Sequence, residues 1–331
     1  VKNKIRARAL VPQTRLRALL LQEQSKKIRS DDASAARATV AWDEVSIDSD
    51  SSSPSVTCEQ QSSIGQRIKN GESVVAIRDI VSRDECSYII ESCTETFQRA
   101  GPTEFENQGL IRLPTISAAE RANKVALIPC ANPVSNDVDA LLQTILLRVA
   151  TYIDGELPSI SRVLFPSIGE GDNTGGKSDD SQDDSYERID GWPSLTEQIQ
   201  SNSLKYTHRE PAINVYSKGG KFLSHKDAQA LTVLIPLSSS STDSHNSARL
   251  SSFTGGGTGF WSQDARGHRV EGPTMVLKPT AGTAMLFGGC VTHSGIPVES
   301  GCRIVFVASF SPKNGHYRAP NMERDVYGDL L

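Results

Sequence analysis

The chain has 331 residues, a formal net charge of -4 at pH 7 and a hydrophobic fraction of 37%. That length allows one large domain or two ordinary ones, and the low hydrophobic fraction indicates a folded core diluted by polar segments. The slight overall acidity provides no basic field that would recruit nucleic acid. We therefore expect no nucleic-acid partner. No run of roughly 18 apolar residues occurs, so we expect no membrane span either.

Residues 1–70 are predicted to form a largely disordered N-terminal segment. Lys and Arg dominate residues 1–30, where Glu23 is the only acid, and a Ser-rich stretch follows at 46–63. Such a composition buries too little apolar surface to offset the entropy of ordering the chain. The basic start fits an organelle-targeting remnant and fits a solvated basic tail equally well, so the compartment stays open.

A domain is predicted over residues 71–315, and it begins with a buried strand near Ser73. Ser82 and Glu85 form a capping box, and the helix that follows it carries an apolar face of Cys86, Ile89, Ile90, Cys93 and Phe97. A second helix is predicted over 136–154, where apolar residues recur at helical spacing.

From about Glu210 to Pro312 short apolar runs alternate with glycine-rich turns. Candidate strands lie at 212–216, 231–237, 259–261, 274–277, 283–287 and 303–310. Many short strands at this spacing are typical of a β-sandwich or barrel. Polar stretches near 169–190 and 238–252 are predicted to be disordered insertions, the first of which also fits an acidic interaction loop. Residues 316–331 are predicted to be a C-terminal tail.

Two residues of one predicted strand indicate a metal site. His225 and Asp227 are two positions apart, and such side chains point to the same face of a strand. A third ligand must come from elsewhere in the sheet, and His293 is the best candidate. Two histidines and one carboxylate form the ligand set of non-haem Fe(II) oxygenases. Zinc accepts the same ligands, and a short His-x-Asp pattern also arises by chance.

Arg303 begins an apolar strand shortly after His293. A buried cation there needs a partner, and a guanidinium matches a carboxylate such as the distal one of 2-oxoglutarate. A structural salt bridge is the alternative. Tyr216, which precedes His225, offers a hydroxyl to the same carboxylate or is an ordinary strand aromatic.

Taken together, these motifs resemble the prolyl 4-hydroxylase family of Fe(II)- and 2-oxoglutarate-dependent dioxygenases. The segment from Tyr216 to Asp227 looks like the metal strand of that family. Residues 255–260 and 278–287 are similar to its Gly-Gly-x-Thr-x-Phe and Pro-x-x-Gly-x-x-x-x-Phe regions, and His293 to Arg303 resembles its distal histidine and co-substrate strand. The resemblance spans roughly 73–312.

The resemblance implies a mainly β fold with flanking helices, a double-stranded β-helix or jelly roll. It also implies Fe(II) at His225, Asp227 and His293, with 2-oxoglutarate held by Arg303 and Tyr216, and ascorbate as a reductant. The expected reaction hydroxylates a C–H bond and releases succinate and CO2. The alternative is a non-catalytic or zinc-filled jelly-roll binding module.

Two departures bear on the substrate that the resemblance implies. Arg303 stands where collagen-type members usually have Lys, and Phe310 stands where the family often has Trp. Arg also binds a carboxylate, so the dioxygenase chemistry survives both changes. The changes count instead against a prolyl substrate. A protein or peptide substrate is expected, with a peptidyl proline as one candidate target, and a small molecule is the alternative.

Overall fold

The computed structural model of the chain describes residues 38–41, 58–100, 109–124, 133–165, 193–240, 252–261 and 272–313. All of them lie within one unit, 37–331. The predicted insertion at 169–190, the predicted tail at 316–331 and most of the insertion at 238–252 fall outside the described residues.

The described helices are, in chain order, α1 (Cys58–Asn70), α2 (Arg83–Ala100), α3 (Ile116–Asn123), α4 (Asn136–Glu156), α5 (Pro158–Leu164) and α6 (Leu195–Gln200). The described strands are β1 (Ala38–Ala41), β2 (Val74–Ile77), β3 (Leu110–Pro114), β4 (Leu204–Tyr206), β5 (Ala212–Tyr216), β6 (Phe222–His225), β7 (Leu231–Pro236), β8 (Phe253–Gly255), β9 (Thr258–Trp261), β10 (Met275–Leu277), β11 (Ala284–Phe287), β12 (Thr292–Gly295), β13 (Val298–Gly301) and β14 (Arg303–Pro312). Among these helices, none combines the length and apolar character needed to cross a membrane.

The described strands form a large and a small antiparallel sheet, and β8 and β13 pair as a separate two-stranded sheet. The large sheet runs β1-β2-β11-β7-β14-β5-β3, with β4 on the end of β14, and the small sheet runs β10-β9-β12-β6. From β5 to β14 the chain passes repeatedly between the two sheets, so that strands far apart in sequence become neighbours. This is the topology of a jelly roll, and the predicted double-stranded β-helix with flanking helices is confirmed.

The core lies between the two sheets. Phe260 of the small sheet meets Phe287 of the large sheet edge to face, with ring centroids 5.2 Å apart. The same cluster takes buried side chains from both sheets, among them Leu234, Leu277, Met285 and Val305. Since side chains alternate along a strand, these residues define the inner faces of the two sheets.

The outer face of the large sheet is also buried. Its strand β7 is buried at every position, which is expected for a strand covered on both sides. Phe310 on β14 packs against Phe165, just after α5, with ring centroids 5.6 Å apart. The helices therefore flank this face, opposite the small sheet.

The predicted capping box is present at the start of α2. Glu85 N donates to Ser82 Oγ over 3.2 Å, and Ser82 N donates to Glu85 Oε2 over 2.8 Å. Cys86, Ile89, Ile90 and Cys93 are buried as predicted, while the side chain of Phe97 lies outside the described set. The start of α2 is therefore where the capping box predicts it.

Order begins before Ser73, which corrects the expectation for residues 1–70. Ile64 and Ile68 of α1 are buried, and Gly65 lies so close to α5 that an added Cβ would be 2.2 Å from Ser159 O. Two isoleucines four positions apart are enough to anchor one helix face, although the surrounding composition is polar. The predicted domain boundaries at 71 and 315 otherwise stay a prediction.

The start of the predicted insertion at 238–252 is packed as well. Ser238 Oγ accepts a 2.8 Å hydrogen bond from Ile304 N, and Ser240 forms an isolated bridge with Phe253. These two serines therefore contact β14 and β8, respectively.

Candidate metal centre

The pairing of β6 with β12 brings the two histidines together. His225 is the last residue of β6 and lies directly opposite His293 of β12 in the antiparallel register. Their ring centroids are 4.3 Å apart. Strand register, rather than closeness in sequence, therefore creates the pair.

Asp227 reaches the histidines from the loop that follows β6. Its carboxylate oxygens lie 3.2 Å from His225 Nε2 and 3.6 Å from His293 Nε2, and the three ligand atoms all lie within 4.8 Å of one another. β6 ends at His225, so the expectation that both residues share one strand is wrong in detail. The backbone turns at Ala228, whose φ is 56°.

Backbone carbonyls orient both imidazole rings. His225 Nδ1 lies 2.8 Å from Leu223 O, and His293 Nδ1 lies 3.2 Å from Val291 O. A carbonyl oxygen only accepts, so each Nδ1 carries the proton and each Nε2 keeps its lone pair. Two lone pairs and a carboxylate that face one point repel each other unless a cation lies among them. The donor set therefore fits a divalent metal ion, with the orienting bonds typical of metal-bound histidine.

Burial and mutual charge shift the pKa values of the three groups in different directions. Burial lowers the pKa of His225, but the hydrogen bond to Asp227 and its charge outweigh burial and raise it. Burial lowers the pKa of His293 to about 4, in spite of the nearby Asp227 carboxylate, which raises it. Burial would raise the pKa of Asp227, but the charges of His293 and His225 and a hydrogen bond from Thr232 outweigh it and lower that pKa. Positive charge beside Asp227 thus favours its carboxylate, and burial favours the neutral imidazole of His293; these are the forms that bind metals, with a metal ion in place of the histidine charge.

Thr232 fixes the orientation of the Asp227 side chain. Its hydroxyl donates to Asp227 Oδ2 and lies 3.2 Å from Ser309 Oγ. Both hydroxyls are fully buried on the large sheet. The carboxylate is therefore held against the opposite sheet from the two histidines.

Arg303 lies in the same pocket as the three groups. It starts β14 opposite Tyr216 of β5, and it is 3% exposed. Its Nη2 donates to Thr258 Oγ1 over 2.8 Å, and its guanidinium lies 5.2 Å from the centre of the Tyr216 ring. No carboxylate of the described residues forms an ion pair with it.

The pocket also includes residues that were not predicted to belong to the site. It opens to solvent and is lined by His225, Asp227, His293, Arg303, Tyr216, Thr258, Arg112, Glu210, Asn214 and Phe222, among others. Asn214 had a detectable signal, since it lies two positions before Tyr216 on β5 and shares its face. Thr258 stood inside a quoted motif. Arg112 and Glu210 had no local signal.

The fold and the site together define a jelly-roll protein with a two-histidine, one-carboxylate centre. No family model matches the chain, and no curated protein matches it. Among solved structures, the chain is similar to a prolyl hydroxylase from Trichoplax adhaerens in complex with a peptide fragment of the hypoxia inducible factor oxygen degradation domain. The identity is 11%, the match covers 77% of this chain and 92% of that one, and the TM-score is 0.40.

Two further solved structures are similar. One is a Pseudomonas putida prolyl-4-hydroxylase, at 11% identity over 77% of this chain and 100% of that one, with a TM-score of 0.39. The other is a non-haem α-ketoglutarate-dependent carbocyclase from nogalamycin biosynthesis, at 10% identity over 80% and 88% of the two chains, with a TM-score of 0.40. Since about a tenth of the residues are identical, the activity of this chain has to be argued from its own site.

Proposed function

We propose that this protein is an Fe(II)- and 2-oxoglutarate-dependent dioxygenase that hydroxylates a C–H bond of its substrate. The observation that carries the proposal is one pocket with two kinds of group. His225, Asp227 and His293 converge on one point, and the buried Arg303 lines the same pocket without a carboxylate partner among the described residues. A metal site alone fits many chemistries, whereas the additional buried cation favours an anionic co-substrate.

His225, Asp227 and His293 would hold the Fe(II). Two histidines and a carboxylate leave coordination positions open for other ligands. Bound there, Fe(II) supplies the activation of dioxygen, coupled to oxidative decarboxylation of 2-oxoglutarate to succinate and CO2 and to hydroxylation of the substrate. The role of Thr232 is to keep Asp227 from rotating, because its hydroxyl bonds one carboxylate oxygen.

Arg303 would hold the distal carboxylate of 2-oxoglutarate. Its Nη2 donates to Thr258, and its guanidinium carbon lies 5.2 Å from the centre of the Tyr216 ring. A guanidinium has five N–H donors, so others remain for a bidentate contact with a carboxylate. An unpaired buried charge is costly, and a bound carboxylate removes that cost. Burial also raises the pKa of Tyr216, against the lowering effect of Arg303, so its hydroxyl stays a hydrogen-bond donor.

The substrate and the reductant are the finer parts of the proposal. A peptidyl proline and a small molecule are the two substrate classes that fit the resemblance in sequence motifs, and ascorbate is the reductant implied by it. The pocket opens to solvent on the side lined by Arg112 and Phe222, both partly exposed, so the substrate would enter past them.

The decisive test measures 2-oxoglutarate binding to the folded protein, first without metal and then after a metal ion has been added. We expect tight 2-oxoglutarate binding only after Fe(II) has been added under anaerobic conditions, and succinate release once oxygen is admitted. Zn(II) binding without any 2-oxoglutarate binding would instead support the alternative, a zinc-filled or non-catalytic binding module.

A further inference from the structure

A second guanidinium lies in the same pocket as Arg303. Arg112 of β3 stands opposite Asn214 of β5, and it lines the pocket together with the three proposed metal ligands. Its side chain is 22% exposed, whereas Arg303 as a residue is 3% exposed. Arg112 therefore reaches the open side of the pocket while Arg303 reaches the closed side.

Three contacts fix the position of the Arg112 side chain. Its Nε donates to Asn214 Oδ1 over 2.9 Å, and its guanidinium carbon lies 5.7 Å from the centre of the Phe222 ring. Glu210 Oε1 lies 3.5 Å from Nη1. Glu210 is itself held in place, because its Oε2 accepts a 2.8 Å hydrogen bond from Ser309 N. A long, flexible side chain is thus confined before any ligand binds.

Most of the hydrogen-bonding capacity of Arg112 is left unused. A guanidinium has five N–H donors, and among the described residues only Nε of Arg112 donates a hydrogen bond. The contact of Nη1 with Glu210 is a long ion pair rather than a hydrogen bond. The N–H groups of Nη2, and the one N–H of Nη1 that does not face Glu210, are therefore left to bind a planar, doubly accepting group in the pocket.

The charge around Arg112 favours an anion. Glu210 faces Arg112, but a further basic residue, Arg209, directly precedes Glu210 in the chain. Burial lowers the pKa of His208, and the charges of Arg209 and then Arg112 lower it further, so His208 adds no positive charge but both guanidinium groups lie close to it. Arg209 Nε is also buried without a hydrogen-bond partner among the described residues.

We propose that Arg112 determines substrate specificity by binding a carboxylate of the substrate, which is therefore an acid. The proposal rests on the proposed dioxygenase function, since it assigns Arg303 to 2-oxoglutarate and Arg112 to the second ligand of the same pocket. The carboxylate belongs either to a small acid or to an acidic residue of a peptide, and both sources present the same planar acceptor.

The test compares probes that differ by one negative charge. The small-molecule pair is N-acetyl-L-proline with N-acetyl-L-prolinamide, and the peptide pair is N-acetyl-aspartyl-prolinamide with N-acetyl-asparaginyl-prolinamide. Binding is measured by anaerobic calorimetry on the Fe(II)-loaded full chain with N-oxalylglycine at saturation, so that the Arg303 side is already filled. We expect the acid of at least one pair to bind about ten-fold or more tightly than its amide, which is the effect of one charge-assisted contact. The pair that shows the preference identifies the source of the carboxylate.

Three variants separate a specific contact from general electrostatics. Arg112→Gln should abolish the preference for the acid, and Arg112→Lys should keep part of it, because a point charge replaces the fork. Lys205→Gln is the matched control: it removes one exposed positive charge from β4, outside this pocket, and should leave the preference intact. Circular dichroism and thermal melting establish that each variant is folded.

Failure of this inference is distinguishable from failure of the proposed function. Equal binding of acid and amide in both pairs of the unaltered protein, or no binding of either acid, overturns the inference without needing any variant. A preference that survives Arg112→Gln in folded protein also overturns it. Absence of succinate release alongside a clear, Arg112-dependent acid preference would refute the dioxygenase assignment and leave Arg112 as a carboxylate-binding residue.

Discussion

Replacing Arg303 by alanine removes the buried guanidinium that we assign to 2-oxoglutarate. The side chain contacts Thr258 and Tyr216 and no carboxylate of the described residues, so the folded protein without co-substrate loses one hydrogen bond and one cation–π contact. The complex with 2-oxoglutarate loses these contacts and a charge-assisted, bidentate pair as well. The change should therefore weaken binding more than it weakens the fold.

The expected loss of 2-oxoglutarate affinity is larger than the expected loss of fold stability. A buried, charge-assisted pair broken on one side costs roughly 2–4 kcal/mol, or about 30- to 1000-fold in affinity. The contacts to Thr258 and Tyr216 together contribute about 1–3 kcal/mol to stability. Removing an unpaired buried charge offsets part of that loss, because such a charge itself costs free energy. A small change in melting temperature should thus accompany a large change in affinity.

The assay is a titration of 2-oxoglutarate into anaerobic, Fe(II)-loaded protein, with Fe(II) affinity measured separately. Arg148→Ala is the matched control, because Arg148 forms a bidentate ion pair with Glu85 at 2.9 and 3.0 Å in the helical layer. The control should lower the melting temperature and leave the 2-oxoglutarate titration unchanged. Arg303→Lys should show an intermediate affinity, since the lysine ammonium keeps the charge and loses the planar fork.

An unchanged 2-oxoglutarate binding curve for folded Arg303→Ala would refute the co-substrate assignment. A structural role for Arg303 predicts the reverse ranking, with general destabilisation and unaltered affinity in whatever protein still folds.

His225→Ala, Asp227→Ala and His293→Ala should each abolish tight Fe(II) binding in calorimetry, and a variant that keeps it identifies a residue that is not a ligand. His293→Ala should also lower the melting temperature most, because its ring is 5% exposed and packs on Phe287 at 4.7 Å. Gly65→Ala should destabilise the protein by about 1–3 kcal/mol in urea unfolding, because its Cβ would meet Ser159 O. The helical control is Gly155→Ala, where nothing lies within 4 Å, and it should be neutral or stabilising by up to about 1 kcal/mol. Equal effects of the two substitutions would show that α1 is not packed as described. Burial raises the pKa of Glu85, but Arg148 and Ser82 outweigh it and hold the pKa below its ordinary value of 4.5, so the pair stabilises the fold above that pH and the stabilisation is lost as the pH falls through the lowered pKa. The difference in unfolding free energy between the unaltered protein and Glu85→Gln should therefore shrink in acid, and a difference that grows there would contradict the pairing.

Local patterns were enough to predict the elements whose residues are consecutive. The helix predicted over 136–154 is α4, which extends to Glu156, because its apolar stripe and its Ser135 cap are local features. The strands at 212–216 and 303–310 are likewise β5 and β14, the second of which continues to Pro312. Helix α1 was missed because only Ile64 and Ile68 mark its buried face, in a segment that is otherwise polar.

Those residues of the candidate site that lie in recognisable sequence motifs were predictable. His225 and Asp227 are neighbours in sequence, and the approach of His293 follows once β6 pairs with β12. Arg112 and Glu210 were not predictable, since they meet only through the registers of β3 with β5 and of β5 with β14. A single Arg in a short strand or a single Glu before a proline has no pattern that distinguishes it from surface residues.

The two sheets contribute different functional groups to the pocket. His225 and His293 lie on neighbouring strands of the small sheet, whereas both guanidinium groups start from the large sheet, on either side of β5. β14 places Arg303 opposite Tyr216, and β3 places Arg112 opposite Asn214. Adjacent strands are about 4.8 Å apart, so strands β14 and β3 are separated by about 10 Å. At that spacing the two guanidinium groups can contact separate anions. Because the histidines lie on the other sheet, each anion that is held by its carboxylate can direct its opposite end toward the proposed metal. The arrangement thus gives one reason why a co-substrate and an acidic substrate would each need a guanidinium of its own.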